Sequence, residues 1–120
     1  MSDFFGRVVD AVYTGNIELL EVLYNCGFLR PNDTFQLDNY RVSILHLIAR
    51  KPCPDYMYMI DTLLNMGVCL DDAMPNTPLE EALIYENFAT AQYLESLGGT
   101  YCNDEVDCYL DKYREYKENN

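Results

Sequence analysis

Basic residues are scarce in this chain, and its middle has none. The 120 residues include 8 Lys and Arg against 20 Asp and Glu, which gives a formal net charge of −12. Every base lies within residues 7–51 or 112–117, so the stretch Pro52–Asp111 carries acids only. Because nucleic acids and anionic membranes attract basic surfaces, we expect direct binding to neither. The acidic stretch is either a solvated surface or a face that attracts a partner protein with a basic surface.

Signals for metals and catalysis are also missing. There is a single histidine, His46, and the five cysteines form no Cys-x-x-Cys pair, so a zinc site is not indicated. Phosphate-binding loops, dinucleotide-binding motifs, zinc-protease motifs and nucleophile elbows are absent from the sequence. We therefore expect no enzymatic activity, no cofactor and no metal, and we expect the cysteines to be free thiols in a reducing compartment.

Long apolar runs are missing as well. No run reaches the 18 residues that a membrane-spanning helix needs, and residues 1–7 lack the basic-then-apolar layout of a signal peptide. Apolar residues nevertheless make up 49% of the chain, which argues against disorder. We expect a single folded domain over residues 1–120 in an intracellular protein, either cytoplasmic or nuclear.

What the chain does contain is a pattern that occurs three times. The clearest copy, Asp38–Gly67, has a tight turn, a helix capped by Ser43 and a second helix ended by glycine. Weaker copies precede and follow it. One helix pair cannot bury its own apolar face, so the copies should stack on one another. The pattern predicts a loop over Phe28–Leu37 and helices over Asp3–Val12, Asn16–Cys26, Ser43–Arg50, Tyr56–Asn65, Leu79–Tyr85, Ala89–Leu97 and Asp104–Asn120.

These segments resemble ankyrin repeats. The motifs that carry the resemblance are Ser43–Ala49 with Leu63–Gly67, Thr77–Ala82, and Gly15–Gly27. The resemblance implies an all-α ankyrin-like solenoid, with repeats at about 4–27, 38–67 and 72–99 and a C-terminal capping helix at about 104–117. It also implies that His46 is structural, bonding to its own helix start and to the neighbouring turn. The sequence departs from the family pattern in its turn glycines, which are replaced by Arg41, Pro75, Pro52 and Glu86, and in Glu80, which replaces a histidine.

The resemblance also implies where a partner would bind. Ankyrin-like stacks bind with their hairpin tips and with the exposed face of each first helix. Apolar side chains at such solvent-facing positions indicate a contact surface, unless the helices tilt and bury them. Carried over to this sequence, the candidate partner-binding residues are Tyr13, Asn39, Tyr40, Val42, Arg50, Lys51, Ala73, Met74, Asn76, Ile84 and Tyr85. The first repeat, being terminal, should expose a more polar outer side.

The expected function is therefore a protein–protein interaction module that binds another protein and occludes or scaffolds it. A small, divergent ankyrin-like protein of this kind suggests an inhibitor or effector from a virus, a phage or a bacterium. The alternative is an acidic decoy, a nucleic-acid mimic that inhibits a nucleic-acid-binding protein through the base-free stretch. The chain should be a monomer or a weak homo-oligomer, and the sequence leaves the choice of contact surface open.

Overall fold

The computed structural model describes residues 2–37, 40–72, 76–101 and 106–119. Over this part of the chain the protein is 64% helical, with seven helices and one short hairpin, which confirms the helical class. Several helix bounds fall within two residues of the predicted ones. The elements are α1 Ser2–Thr14, α2 Ile17–Asn25, β1 Phe35–Leu37, β2 Tyr40–Val42, α3 Ile44–Arg50, α4 Tyr56–Asn65, α5 Pro78–Ile84, α6 Phe88–Ser96 and α7 Asp107–Asn119.

The first six helices lie in two rows. In one row α1 contacts α3 and α3 contacts α5; in the other, α2 contacts α4 and α4 contacts α6. The rows are joined where α1 packs on α2 and α5 packs on α6. Their inward sides share one apolar core, to which every helix of both rows contributes. Its fully buried side chains include Val12, Leu20, Ile48, Ile60, Leu83 and Leu94.

The segment predicted as a loop contains a strand, so that prediction is wrong. β1 pairs antiparallel with β2, with Gln36 opposite Arg41. The Phe35 ring stacks on Phe5 of α1 at a centroid distance of 5.2 Å, and Leu29 is buried in the core. A three-residue strand is too short to show the alternation that identifies strands in a sequence. The segment therefore forms part of the packed structure and ties the hairpin to α1.

The starts of α3 and α5 are built alike, although one uses histidine and the other glutamate. The backbone N–H of Ser43 donates to His46 Nδ1 at 3.1 Å, and the backbone N–H of Thr77 donates to Glu80 Oε1 at 2.7 Å. Both arrangements are capping boxes, which satisfy backbone donors at a helix start. Because Nδ1 accepts, the ring proton is on Nε2, which donates to the carbonyl oxygen of Asn76. The structural role predicted for His46 is confirmed.

The predicted C-terminal helix is present as α7, which packs on α5 and α6. Tyr113 is its anchor: its ring lies 5.8 Å from that of Phe88, and its hydroxyl donates to Glu95 at 2.7 Å. The Lys117 ammonium donates to the same carboxylate at 3.2 Å. The described helix begins three residues later than predicted, and residues 102–105 lie outside the described part. α7 covers the apolar surface of the last helix pair.

Candidate functional site

The predicted binding residues fall into two groups, which lie at opposite ends of the helices that begin each pair, namely α1, α3 and α5. The turn group precedes α3 and α5. Within it, Asn39, Ala73 and Met74 lie outside the described residues, and Tyr40 is described only by its place in β2, opposite Leu37. Asn76 is half-buried, with its carbonyl bound by His46. Asn39, Tyr40, Ala73, Met74 and Asn76 therefore remain predicted binding residues.

Val42 belongs to the turn group by sequence, but its prediction as a partner-binding residue is wrong. Its side chain is 0% exposed and forms part of the core. Side chains alternate between the two faces of a strand, so the neighbouring Arg41 is exposed while Val42 points inward. The residue after Val42 is Ser43, which caps α3. Val42 therefore lies between the hairpin and the packed start of that helix. Val42 therefore stabilises the hairpin and cannot contact a partner.

The second group assembles at the C-terminal ends of the first helices. Tyr13 lies at the end of α1, Arg50 and Lys51 at the end of α3, and Tyr85 at the end of α5. The Lys51 ammonium lies 4.4 Å from the centroid of the Tyr13 ring. The Arg50 guanidinium lies 5.1 Å from the centroid of the Tyr85 ring. Both distances are those of cation–π contacts. We call Tyr13, Lys51, Arg50 and Tyr85 the aromatic–cation row.

The members of the row differ in what they present to solvent. Tyr85 is 49% exposed and Lys51 is exposed, whereas Tyr13 is half-buried. Burial is the main cause that raises the pKa of Tyr13, and the nearby Cys53 and Glu81 add to the effect while Arg50 opposes it. Predicted residue Ile84 is half-buried and packs partly on the core. The accessible binding groups of the row are thus one phenol ring and one ammonium.

Arg50 has a second role that the sequence did not predict. Its Nε lies 2.7 Å from Glu81 Oε2, and the Glu81 side chain is only 4% exposed. Asn76 Nδ2 donates to the other oxygen of Glu81 at 3.4 Å. The pair links α3 to α5 and fixes the guanidinium beneath Tyr85. Since its partners are 31 residues apart, no local pattern indicates it.

The surroundings of the row include one buried thiol. Its nearest thiol, Cys53, is buried, and its Sγ donates to the carbonyl oxygen of Lys51 at 3.3 Å. Burial raises the pKa of Cys53 to about 11, so the thiol is protonated and unreactive at neutral pH. Across the described ranges, no three His, Cys, Asp or Glu side chains converge to hold a metal ion. The groups available in the row are suited to non-covalent contact with another molecule.

Comparison of the chain with protein-family models, with curated proteins and with solved structures gives no match. No helix in the part of the chain that the structure describes is long and apolar enough to cross a membrane.

Proposed function

We propose that this chain is a non-enzymatic protein-binding module, an ankyrin-like stack that captures a partner protein on the aromatic–cation row. One observation carries the proposal. Four residues predicted as binding residues come from three separate helix ends and lie in series along one row of helices. Repeat stacks bind through surfaces of this kind, to which each successive repeat contributes.

Three further observations support the ankyrin-like assignment. The helices lie in two rows, and the equivalent first helices α3 and α5 begin with equivalent capping boxes. The histidine of one helix start bonds to the neighbouring turn. Each helix pair is followed by a glycine with left-handed φ, namely 83° at Gly27, 100° at Gly67 and 101° at Gly98. A glycine in this conformation ends a helix and frees the chain to begin the next pair.

The row has properties that favour binding energy. Tyrosine and arginine are among the residues that contribute most to protein interfaces. The Arg50 guanidinium contacts the face of the Tyr85 ring and is itself fixed by the ion pair with Glu81. The exposed ring is therefore positioned before a partner binds. A surface that is already ordered loses less conformational entropy on association. By covering a partner's surface, such a module would inhibit or scaffold it, as an effector of viral, phage or bacterial origin would.

The test is affinity capture with matched variants. Lys51→Ala with Tyr85→Ala removes the exposed groups of the row, whereas Tyr58→Ala removes a tyrosine on α4 that is 63% exposed. We expect wild-type protein and Tyr58→Ala to capture the same partner, identified by mass spectrometry, at low and at high salt. The double variant should lose that partner while keeping the wild-type circular dichroism spectrum. Equal capture by all three proteins would refute the assignment of the row.

The base-free stretch supports a second candidate, the acidic decoy. Some of its carboxylates form ion pairs within the chain: Glu81 pairs with Arg50, Glu86 with Lys112 and Glu95 with Lys117. Exposed carboxylates such as Asp55 are still available for a basic surface. A decoy would capture a basic, nucleic-acid-binding protein and lose it at high salt, because exposed charge pairs are screened. Capture that is indifferent to salt would refute the decoy.

A further inference from the structure

The first helix pair carries an apolar groove on its surface. The groove has a volume of about 260 Å³ and is lined by Phe4 and Arg7 of α1, by Leu19 and Leu23 of α2, and by Phe28. Phe28 is 66% exposed and Phe4 is 39% exposed. Arg7 is the one charged side chain in the lining. Two exposed phenylalanines beside an apolar groove form the kind of patch that marks a contact surface.

The groove lies on the outer side of the stack, away from the second helix pair. Glu18 and Glu21 of α2 share a different depression with Asp55 and Tyr58, which come from the start of α4. Leu19 and Leu23 lie about half a turn from these glutamates around α2, so they face away from α4. The first pair was expected to expose a more polar outer side, and this expectation is wrong. Apolar ends of repeat stacks need a cover.

We propose that the cover is a second copy of this chain, joined N-terminal end to N-terminal end in a symmetric dimer. The charge distribution identifies the occupant. Residues 1–51 hold five bases and six acids, whereas residues 52–120 hold three bases and fourteen acids. Two copies that meet at their nearly neutral N-terminal ends keep their acidic halves far apart. A strongly basic partner, in contrast, would be drawn to the acidic half and away from this groove.

The surface is also suited to pairing with itself. In a twofold dimer the same patch occurs on both copies, so a protruding group on each must meet a recess on the other. Phe28 lines the groove and is 66% exposed, so the Phe28 ring of each copy can contact the groove lining of the opposite copy. Arg7 and Asp10 are three residues apart on α1 and both exposed, so a twofold axis can bring these opposite charges together.

Analytical ultracentrifugation of the full chain over a wide concentration range tests the dimer. The variants are Phe28→Asp and, as the control, Tyr58→Asp, which adds the same charge at a tyrosine of similar exposure on α4. We expect wild-type protein and Tyr58→Asp to reach twice the monomer mass. Phe28→Asp should weaken dimerisation by at least about tenfold, because a buried aromatic anchor would be replaced by a carboxylate.

A wild-type chain that is monomeric at every concentration would overturn the proposal. So would a dimer that Tyr58→Asp weakens as much as Phe28→Asp does. Circular dichroism shows whether each variant folds, and Phe28→Ser provides a milder change if the aspartate prevents folding. These outcomes are independent of partner capture, since the groove shares no residue with the aromatic–cation row.

Discussion

The Arg50–Glu81 pair decides whether the aromatic–cation row is a rigid surface. Arg50→Ala would leave the Glu81 carboxylate, which is 4% exposed, without the guanidinium that now lies 2.7 Å away. The amide of Asn76, at 3.4 Å, is a weak replacement. A buried charge that loses its partner is far more costly than an exposed one, because water cannot solvate it.

Removing one partner of a buried pair costs about 3–5 kcal/mol. For a chain of 120 residues this corresponds to a fall in Tm of about 12–20 °C. Removing both charges with Arg50→Met and Glu81→Leu keeps the side-chain volume and leaves no orphaned charge. The double variant should therefore lie within about 1 kcal/mol of wild type. Lys112→Ala, which breaks a solvent-exposed pair with Glu86, should cost less than about 1 kcal/mol.

Urea unfolding of Arg50→Met, Glu81→Leu and the double variant closes a double-mutant cycle, and Arg50→Ala and the control Lys112→Ala are measured beside it. A loss below about 1 kcal/mol for Arg50→Ala would refute the reasoning, because it would mean that Glu81 is solvated and that the row is not fixed. A large loss would instead show that an alanine scan at Arg50 reports on folding. For that reason the binding test uses Lys51 and Tyr85.

Three further predictions concern the helix pairs. Gly15 and Gly27 both have left-handed φ, but a Cβ on Gly15 would lie 2.8 Å from the carbonyl oxygen of Pro54, while one on Gly27 meets nothing within 4 Å. Gly15→Ala should therefore lower Tm clearly more than Gly27→Ala, whose cost is about 1 kcal/mol of backbone strain, and equal losses would contradict this packing. Thr90→Val should raise Tm by a few degrees, because the buried hydroxyl has no hydrogen-bond partner among the described residues; a fall in Tm would indicate that it has one. Burial acts to raise the pKa of Glu95, but hydrogen bonds from a tyrosine and a lysine of α7 outweigh it and lower that pKa below 4.5. A carboxyl group whose pKa is lowered in the folded state stabilises the fold at pH values above its unfolded-state pKa, and this stabilisation is lost as pH falls through its folded-state pKa. Wild type should therefore lose more stability than Glu95→Gln on acidification to about pH 3. Parallel curves of stability against pH for the two proteins would argue against this.

Local chemistry made the helices predictable. Ser43 and Thr77 mark helix starts, because a hydroxyl can satisfy a free backbone N–H within the same few residues. The glycines that follow each pair mark helix ends in the same local way. The predicted and observed bounds of α4 agree, and both are Tyr56–Asn65. The equivalence of His46 and Glu80 was also visible as aligned positions, although only the structure shows that both complete a capping box.

Apart from the contact of His46 with the neighbouring turn, which the family resemblance implied, contacts between distant segments were not predictable. β1 is stabilised by the stacking of Phe35 on Phe5 and by its pairing with β2. The sequence of the three residues in β1 indicates neither contact. No local pattern marks Glu81, because its partner Arg50 belongs to another helix pair. The side of the first pair that faces solvent depends on where the second pair docks. Periodicity identifies an apolar side of a helix but does not say what covers it.

The two proposed surfaces use different parts of α1, and this has a consequence for binding strength. Phe4 of the groove and Tyr13 of the row are nine residues apart, or roughly 13 Å along a helix axis. A dimer formed through the groove would leave both copies of the row free and hold them in one particle. Two rows that engage one multivalent partner bind with an avidity above that of either alone, provided that the geometry allows both contacts. Phe28→Asp would then weaken the capture of a multivalent partner without touching the row, whereas Lys51→Ala with Tyr85→Ala would abolish capture and leave the dimer intact.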